Sequence, residues 1–153
     1  MTPQVLQHQH LAEILAIEQA ANAFPWSLKN FEDSLRANHQ AWIFSDKDSK
    51  IIGYVFTQHV VDEIHLLNIC VRTDFQGNGY GRKILDHVIS FSEQQSAAVI
   101  LLEVRSSNLR AQQLYLQNGF NEMSVRKGYY PAAQGREDAV LMAKDLALFS
   151  FAI

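Results

Sequence analysis

The apolar pattern of this chain changes period several times, and each change marks an element. From about His8 to Ala21, Leu11, Ile14, Leu15 and Ile17 recur on one helical face, with Glu18 at the end of the stripe. Gln4 to Leu6 predicts a short strand ahead of that helix. "FPWS" breaks the pattern: Pro25 ends one element and Ser27 is placed to cap the next. Trp26 and Phe31 stand just before the cap and four positions beyond it, the spacing of a hydrophobic staple. The helix opened there runs to about Ala37. The period then shortens to that of strands. "AWIFSD" and "KIIGYVFTQHV" predict two strands joined by the turn-rich "SDKDSK", and "EIHLLNICV" predicts a third. Neighbours this close in sequence suit antiparallel hairpins.

A glycine-rich stretch, "DFQGNGYGRKIL", separates these strands from a second helical pattern, in which Ile84, Leu85, Val88, Ile89 and Phe91 mark an amphipathic face to about Gln95. "AAVILLEV" is apolar on both faces, which predicts a central, buried strand. "SSN" caps a further helix carrying Ala111, Leu114 and Tyr115 on one face, with Gly119 as its stop. "FNEMSVR" and "DAVLMAKDL" form a final hairpin with "KGYYPAAQGRE" as a long connection. The order predicts an α/β fold with a mixed sheet and helices on both faces, in a single domain over residues 1–153. The apolar tail "LALFSFAI" continues past the last predicted strand; it extends a strand, covers core or meets another chain.

Composition narrows the field. With 48% hydrophobic and 19% charged residues, the chain folds rather than remaining disordered. The net charge of -3 lacks the basic surplus of a nucleic-acid coat, and direct nucleic-acid binding is not expected. One cysteine, Cys70, builds neither a disulfide framework nor a thiolate zinc site, and a reducing cytoplasm is the expected location. The first residues, "MTPQVLQHQH", carry no signal-peptide pattern. No apolar stretch approaches the roughly 18–20 residues that cross a bilayer. The six histidines form no HExxH or similar cluster, so no metal is expected.

The glycines pose the chemical question. Gly77, Gly79 and Gly81 fall on alternate positions where a strand hands over to a helix. Glycine permits unusual backbone angles and close approach, and a helix N-terminus offers unpaired N–H groups and partial positive charge; together they make a phosphate cradle. The plainer reading is a tight turn into a helix. The Walker pattern is absent, and the dinucleotide fingerprint would require glycine where Arg82 stands.

Q-x-x-G-x-G does fit, as Gln76, Gly79 and Gly81, and it resembles the acetyl-CoA loop of the GCN5-related N-acetyltransferases (GNAT). "AFPWS", "LLNICV", "QGNGYGRKIL", "LLEVRSSNLRAQQLYLQNGF" and "YYPAAQGREDAVLM" extend the resemblance, from about Glu18 to Ala143, to the bacterial RimI-type branch. That branch acetylates the N-terminal alanine of small-subunit ribosomal protein eighteen. The resemblance implies a sheet splayed at the cofactor site and acetyl-CoA as co-substrate. It implies backbone N–H groups of Gln76, Gly77, Asn78, Gly79, Tyr80, Gly81 and Arg82 on the diphosphate, and Ile69, Cys70 and Val71 paired with the pantetheine arm as an added strand. "NICV" by itself reads as core, and only the resemblance turns it toward the cofactor.

Acetyl transfer also needs an amine to lose a proton and a thiolate to be stabilised. Glu103 interrupts an apolar run; it is either a strand-end carboxylate paired to Arg105 or a neighbouring strand, or, as the resemblance implies, the general base. Tyr115 reads as core with a satisfied hydroxyl or, by resemblance, as the general acid; Asn108 reads as the cap and, as the resemblance implies, also contacts the cofactor. Cys70 is rejected as a nucleophile, because it lacks an activating neighbour and direct transfer needs no acyl-enzyme. Tyr129, Tyr130 and Glu137, on the long connection, and Trp26, on the opposite rim, are the candidates for acceptor binding; their plainer roles are a solvated loop and the staple. Two alternatives stay open: an acetyltransferase for small amines or lysine side chains, and a non-catalytic acetyl-CoA sensor.

Overall fold

The computed structural model describes residues 1–146, so the apolar tail lies, from position 147 on, outside the described residues. In chain order the elements are β1 (Thr2–Val5), α1 (Leu11–Ala21), α2 (Leu28–Arg36), β2 (Gln40–Ser45), β3 (Ile51–Val60), β4 (Glu63–Val71), α3 (Tyr80–Gln94), β5 (Val99–Arg105), α4 (Leu109–Gln117), β6 (Asn121–Pro131) and β7 (Arg136–Asp145). Hydrogen-bonded strand order is β1-β2-β3-β4-β5-β7-β6. The β1/β2, β2/β3, β5/β7 and β6/β7 pairs are antiparallel and β4/β5 is parallel, giving the expected mixed, mostly antiparallel sheet.

Two compact units divide the chain: Met1–His59 with Leu67–Val88, and Val60–Leu66 with the chain from Ile89 onward. β4 contributes a half to each.

In the first unit, Leu11, Ile14 and Ile17 of α1 are buried in one cluster with Phe31 of α2 and Tyr54 and Phe56 of β3. α1 stops at Ala21, ahead of Pro25, because Asn22 is already extended (φ -121°, ψ 135°). The chain then doubles back, and the Trp26 N–H donates to the Glu18 carboxylate at 2.9 Å. Ser27 caps α2 as expected: its Oγ accepts from Asn30 N at 3.1 Å, and Asn30 Oδ1 accepts from Ser27 N at 2.9 Å. Such a cap is worth about 1 kcal/mol. Trp26 and Phe31 complete the staple with ring centroids 5.2 Å apart.

In the second unit, β5 departs from the expectation of two buried faces. Ile100, Leu102 and Val104 are buried, but Val99, Leu101, Glu103 and Arg105 are only half-buried. Two ionisable side chains on one face need polar partners, which keeps that face partly open. α4 ends in a Schellman motif, with Phe120 N donating to Tyr115 O at 3.0 Å, Gly119 N donating to Leu116 O at 3.3 Å, and Gly119 at φ +91°.

The final hairpin differs most from its expectation. Much of the predicted connection is strand: β6 runs to Pro131, β7 starts at Arg136, and only positions 132–135 turn. A bulge between Arg126 and Tyr130 absorbs the extra residues. Arg136 stitches it, its Nε donating to Gly128 O and its Nη2 to Tyr129 O, each at 2.8 Å. Tyr129 and Tyr130 therefore sit on a braced strand rather than a solvated loop.

Candidate active site

The glycine stretch forms the entry to α3. A single 3₁₀ turn, Thr73–Phe75, leads to Gln76, and α3 begins at Tyr80. Gly77 and Gly79 both adopt φ +82°, where other residues are strained. A Cβ added at either would meet nothing within 4 Å, so the loop faces open space. Gly81 is already helical. The first N–H groups of α3 have no partner within the helix and carry the positive end of its dipole. A diphosphate fits this arrangement: donors, positive potential and a backbone left bare at Gly77 and Gly79.

The polar side chains of the loop are engaged internally. Gln76 Nε2 donates to Val71 O at 2.9 Å, and Asn78 Nδ2 to Phe75 O at 3.1 Å and Gln76 O at 3.2 Å. These two side chains shape the loop, which leaves anion contacts to the backbone. Tyr80 packs edge-on against Phe75, with centroids 5.8 Å apart, and Arg82 is exposed. Arg72, unremarked in the sequence, anchors the approach by donating from Nε to Ile51 O at 2.7 Å and from Nη2 to Glu13 at 2.8 Å.

The parallel ladder of β4 and β5 covers Glu63–Leu66 against Val99–Leu102. Ile69, Cys70 and Val71 lie beyond it, Cys70 buried and the other two half-buried. Burial pushes the Cys70 thiol up to about 11, which keeps it protonated near neutral pH and inert as a nucleophile.

In the second unit, Glu103 accepts two partners. Arg126 Nη1 lies 3.3 Å from its Oε1. The Tyr129 phenol hydrogen-bonds the same carboxylate, which raises Tyr129 above its ordinary value. Register explains the first contact: Glu103 faces Leu141 of β7, and Arg126 of β6 faces Ala139, so the long arginine stem reaches across one strand. Tyr130 packs edge-on against Tyr129 with centroids 4.9 Å apart, and the Arg105 guanidinium lies 4.5 Å over its ring. Burial first, then the Glu103 charge, pushes the Tyr130 phenol up to about 12.

Tyr115 is 5% exposed and packs tilted against Phe120, with centroids 5.7 Å apart. Burial raises its phenol well above the usual range, with a smaller contribution from Tyr130. Glu103, Tyr115, Tyr129 and Tyr130 thus belong to one electrostatic cluster. Glu137 is committed elsewhere, to Arg105 at 3.0 Å and the Ser107 N–H at 2.8 Å. Hydrogen bonds from Ser107, then Arg105, hold its carboxyl down at about 2. Asn108 caps α4, its Oδ1 accepting from Ala111 N at 3.1 Å.

Trp26 is half-buried against Phe31 and Phe56. The sequence reading missed the role of Glu18, which sits 2% exposed beneath Trp26. Its only sequence signal was a carboxylate inside an apolar stripe. Among the described residues no group of three or more His, Cys, Asp or Glu is arranged to hold a metal ion. No helix there is long and apolar enough to cross a membrane.

The chain resembles known proteins in sequence and in fold. The sequence model of the acetyltransferase (GNAT) family matches residues 10–120. The [ribosomal protein bS18]-alanine N-acetyltransferase of Escherichia coli K12 is 42% identical over 132 residues, covering 86% of this chain and 88% of the relative. The protein of the same name from Salmonella typhimurium LT2 is 40% identical over 147 residues, covering 96% and 99%. The crystal structure of the Escherichia coli ribosomal-protein-S18-alanine N-acetyltransferase superposes with a TM-score of 0.88 at 40% identity, covering 94% of this chain and 92% of that one. With its family pattern matched over most of its length and its fold shared with a solved relative, the chain belongs to the GNAT family of acetyltransferases.

Proposed function

We propose that this acetyltransferase modifies the N-terminal α-amino group of a protein, with the N-terminal alanine of ribosomal protein bS18 as acceptor and the cytoplasm as its place of action. The acceptor rests on the two bS18-alanine N-acetyltransferases that this chain resembles over most of its length. The observation that carries the cofactor assignment is the pair of left-handed glycines, Gly77 and Gly79, opening into free space at the start of α3. Backbone N–H groups from Gly77 to Arg82 hold the diphosphate, the Gln76 N–H being donated to Thr73 O at 3.3 Å, and the backbone of Ile69–Val71 takes the pantetheine arm. Acetyl-CoA supplies the activated acetyl thioester. Asn108 contributes through the end of its amide left over from the cap. The whole chain acts as a single acetyltransferase domain.

In the second unit, Glu103 takes the proton of the acceptor amine, directly or through water. A peptide amino group has a pKa of about 7.7–8.0, so a modest base suffices near neutral pH. Tyr115 stays protonated, because burial holds its phenol above its ordinary value. A thiol titrates near 8.5, so Tyr115 serves the leaving sulfur chiefly by donating a hydrogen bond. Tyr129, Tyr130 and Trp26 contact the acceptor. Glu137 acts at one remove, by fixing Arg105 under Tyr130.

The test is acetylation of an alanine-initiated peptide with labelled acetyl-CoA, run beside polyamines and an internal-lysine peptide and read by mass spectrometry. Label confined to the alanine amino group is the expected result. Preferential labelling of polyamine or lysine replaces the acceptor; binding of acetyl-CoA without thiol release on any amine makes the protein a sensor.

A further inference from the structure

Glu18 is a carboxylate only 2% exposed on α1, the helix that also buries Ile14 and Ile17. Its acceptor positions are filled by three donors from three parts of the chain. Oε1 takes the Tyr54 hydroxyl of β3 and, at 3.2 Å, Nδ2 of Asn68 in β4; Oε2 takes the Trp26 N–H at 2.9 Å. All three donors are neutral. A buried carboxylate is costly, and a buried polar group replaced together with its partners by apolar residues of like volume often leaves stability unchanged or raised. Glu18 is therefore a poor choice for stability alone and a good one for fixing geometry.

The elements it ties together have distinct tasks in the reading given above, on which this inference rests. Trp26 belongs to the acceptor rim. Asn68 immediately precedes Ile69–Val71, the stretch assigned to the acyl donor's arm. The two oxygens of one carboxylate are rigidly spaced, so binding Trp26 N with one and Asn68 with the other fixes rim against strand. The third donor, Tyr54, holds the same carboxylate from β3. We infer that Glu18 is a positioning residue that locks the Trp26 rim to the acyl-donor strand and thereby sets acceptor affinity.

The informative variants are Glu18→Met, which keeps the volume and removes every acceptor, and Glu18→Gln. A glutamine carbonyl still accepts from Trp26 N, while the Tyr54 hydroxyl and the Asn68 amide can turn to accept from its NH₂. With the alanine-initiated peptide, Glu18→Met is expected to raise acceptor KM about tenfold or more. Its acetyl-CoA dissociation constant, by calorimetry, stays within twofold of wild type, and Glu18→Gln recovers most of the loss. A purely structural role would instead lower melting temperature and active fraction without moving KM. If Glu18→Met fails to fold, the Glu18→Met/Tyr54→Phe double variant removes the stranded hydroxyl and takes its place. Acceptor KM within twofold of wild type in a folded variant overturns the inference. If wild type leaves the peptide unmodified, the acceptor reading has fallen instead, and amide hydrogen exchange at Trp26 decides: faster exchange in the variant upholds the lock, and unchanged exchange overturns it.

Discussion

Arg126 stands 3.3 Å from Glu103, so the carboxylate proposed to take the acceptor's proton already carries a guanidinium. Arg126 is 52% exposed, which makes the pair a weak contributor to stability and an easy one to exchange. A cationic acceptor has to displace it. Arg126→Gln is expected to lower acceptor KM several-fold and flatten its dependence on salt, with the melting temperature nearly unchanged. Steady-state kinetics at low and high salt check this, and a raised KM would show that Arg126 recruits the acceptor.

Glu103→Gln keeps the side-chain volume and most of its hydrogen bonding but cannot take a proton. General-base contributions run to about 10²–10⁴ in rate. Transfer near neutral pH is expected to fall by about that factor while acetyl-CoA affinity holds, measured by thiol release and calorimetry. Turnover like that of wild type would remove Glu103 from the mechanism.

Tyr115→Phe removes one hydroxyl from a side chain that is only 5% exposed. The expected outcome is a drop in kcat of about tenfold or more, with cofactor affinity intact, as for loss of one donor to a developing anion. Unchanged kcat would leave Tyr115 as core alone.

Two glycine substitutions should separate grip from packing. At Gly79, φ is +82° and the space is open, so Gly79→Ala costs left-handed strain of about 1–2 kcal/mol and weakens acetyl-CoA binding about tenfold. At Gly53, a Cβ would lie 2.5 Å from Cys70 O and 2.8 Å from Ile84 Cδ1. Gly53→Ala therefore strikes packed backbone and is expected to cost about 1–3 kcal/mol, roughly 3–10 °C in melting temperature. Calorimetry with acetyl-CoA and thermal melts report the two effects independently.

Acid should destabilise the fold in two stages. Burial holds His87 and His39 below their ordinary value of 6.5. The unfolded chain therefore takes up protons that the native chain refuses, so stability is full above about pH 6.5 and falls as pH drops below it. Glu137, lowered from 4.5 to about 2, contributes stability above pH 4.5 that is lost as pH falls toward 2. His87 packs edge-on against Trp42 and Phe44, and its Nε2 is the buried side-chain atom without a hydrogen-bond partner among the described residues. His87→Phe is expected to keep those ring contacts and flatten the upper stage in melting curves taken from pH 7.5 to 5.

Local signals determined the elements of this protein. The Trp26/Phe31 staple, the Ser27 and Asn108 caps, the Gly119 stop and the left-handed loop glycines act within a few residues of chain, so the sequence by itself carried them. The α/β class and the order of elements followed from the same periodicities. Tertiary structure decided what depends on sheet register and on partners far along the chain. Glu18 meets Tyr54 and Asn68 across 36 and 50 residues, and its place in an apolar stripe names neither partner. The bulge that carries Tyr129 to Glu103, the diversion of Glu137 to Arg105, and the reach of Arg126 across β7 exist only once β5, β7 and β6 are in register. A propensity is felt over one turn of chain; a buried charge finds its partners only in the folded sheet.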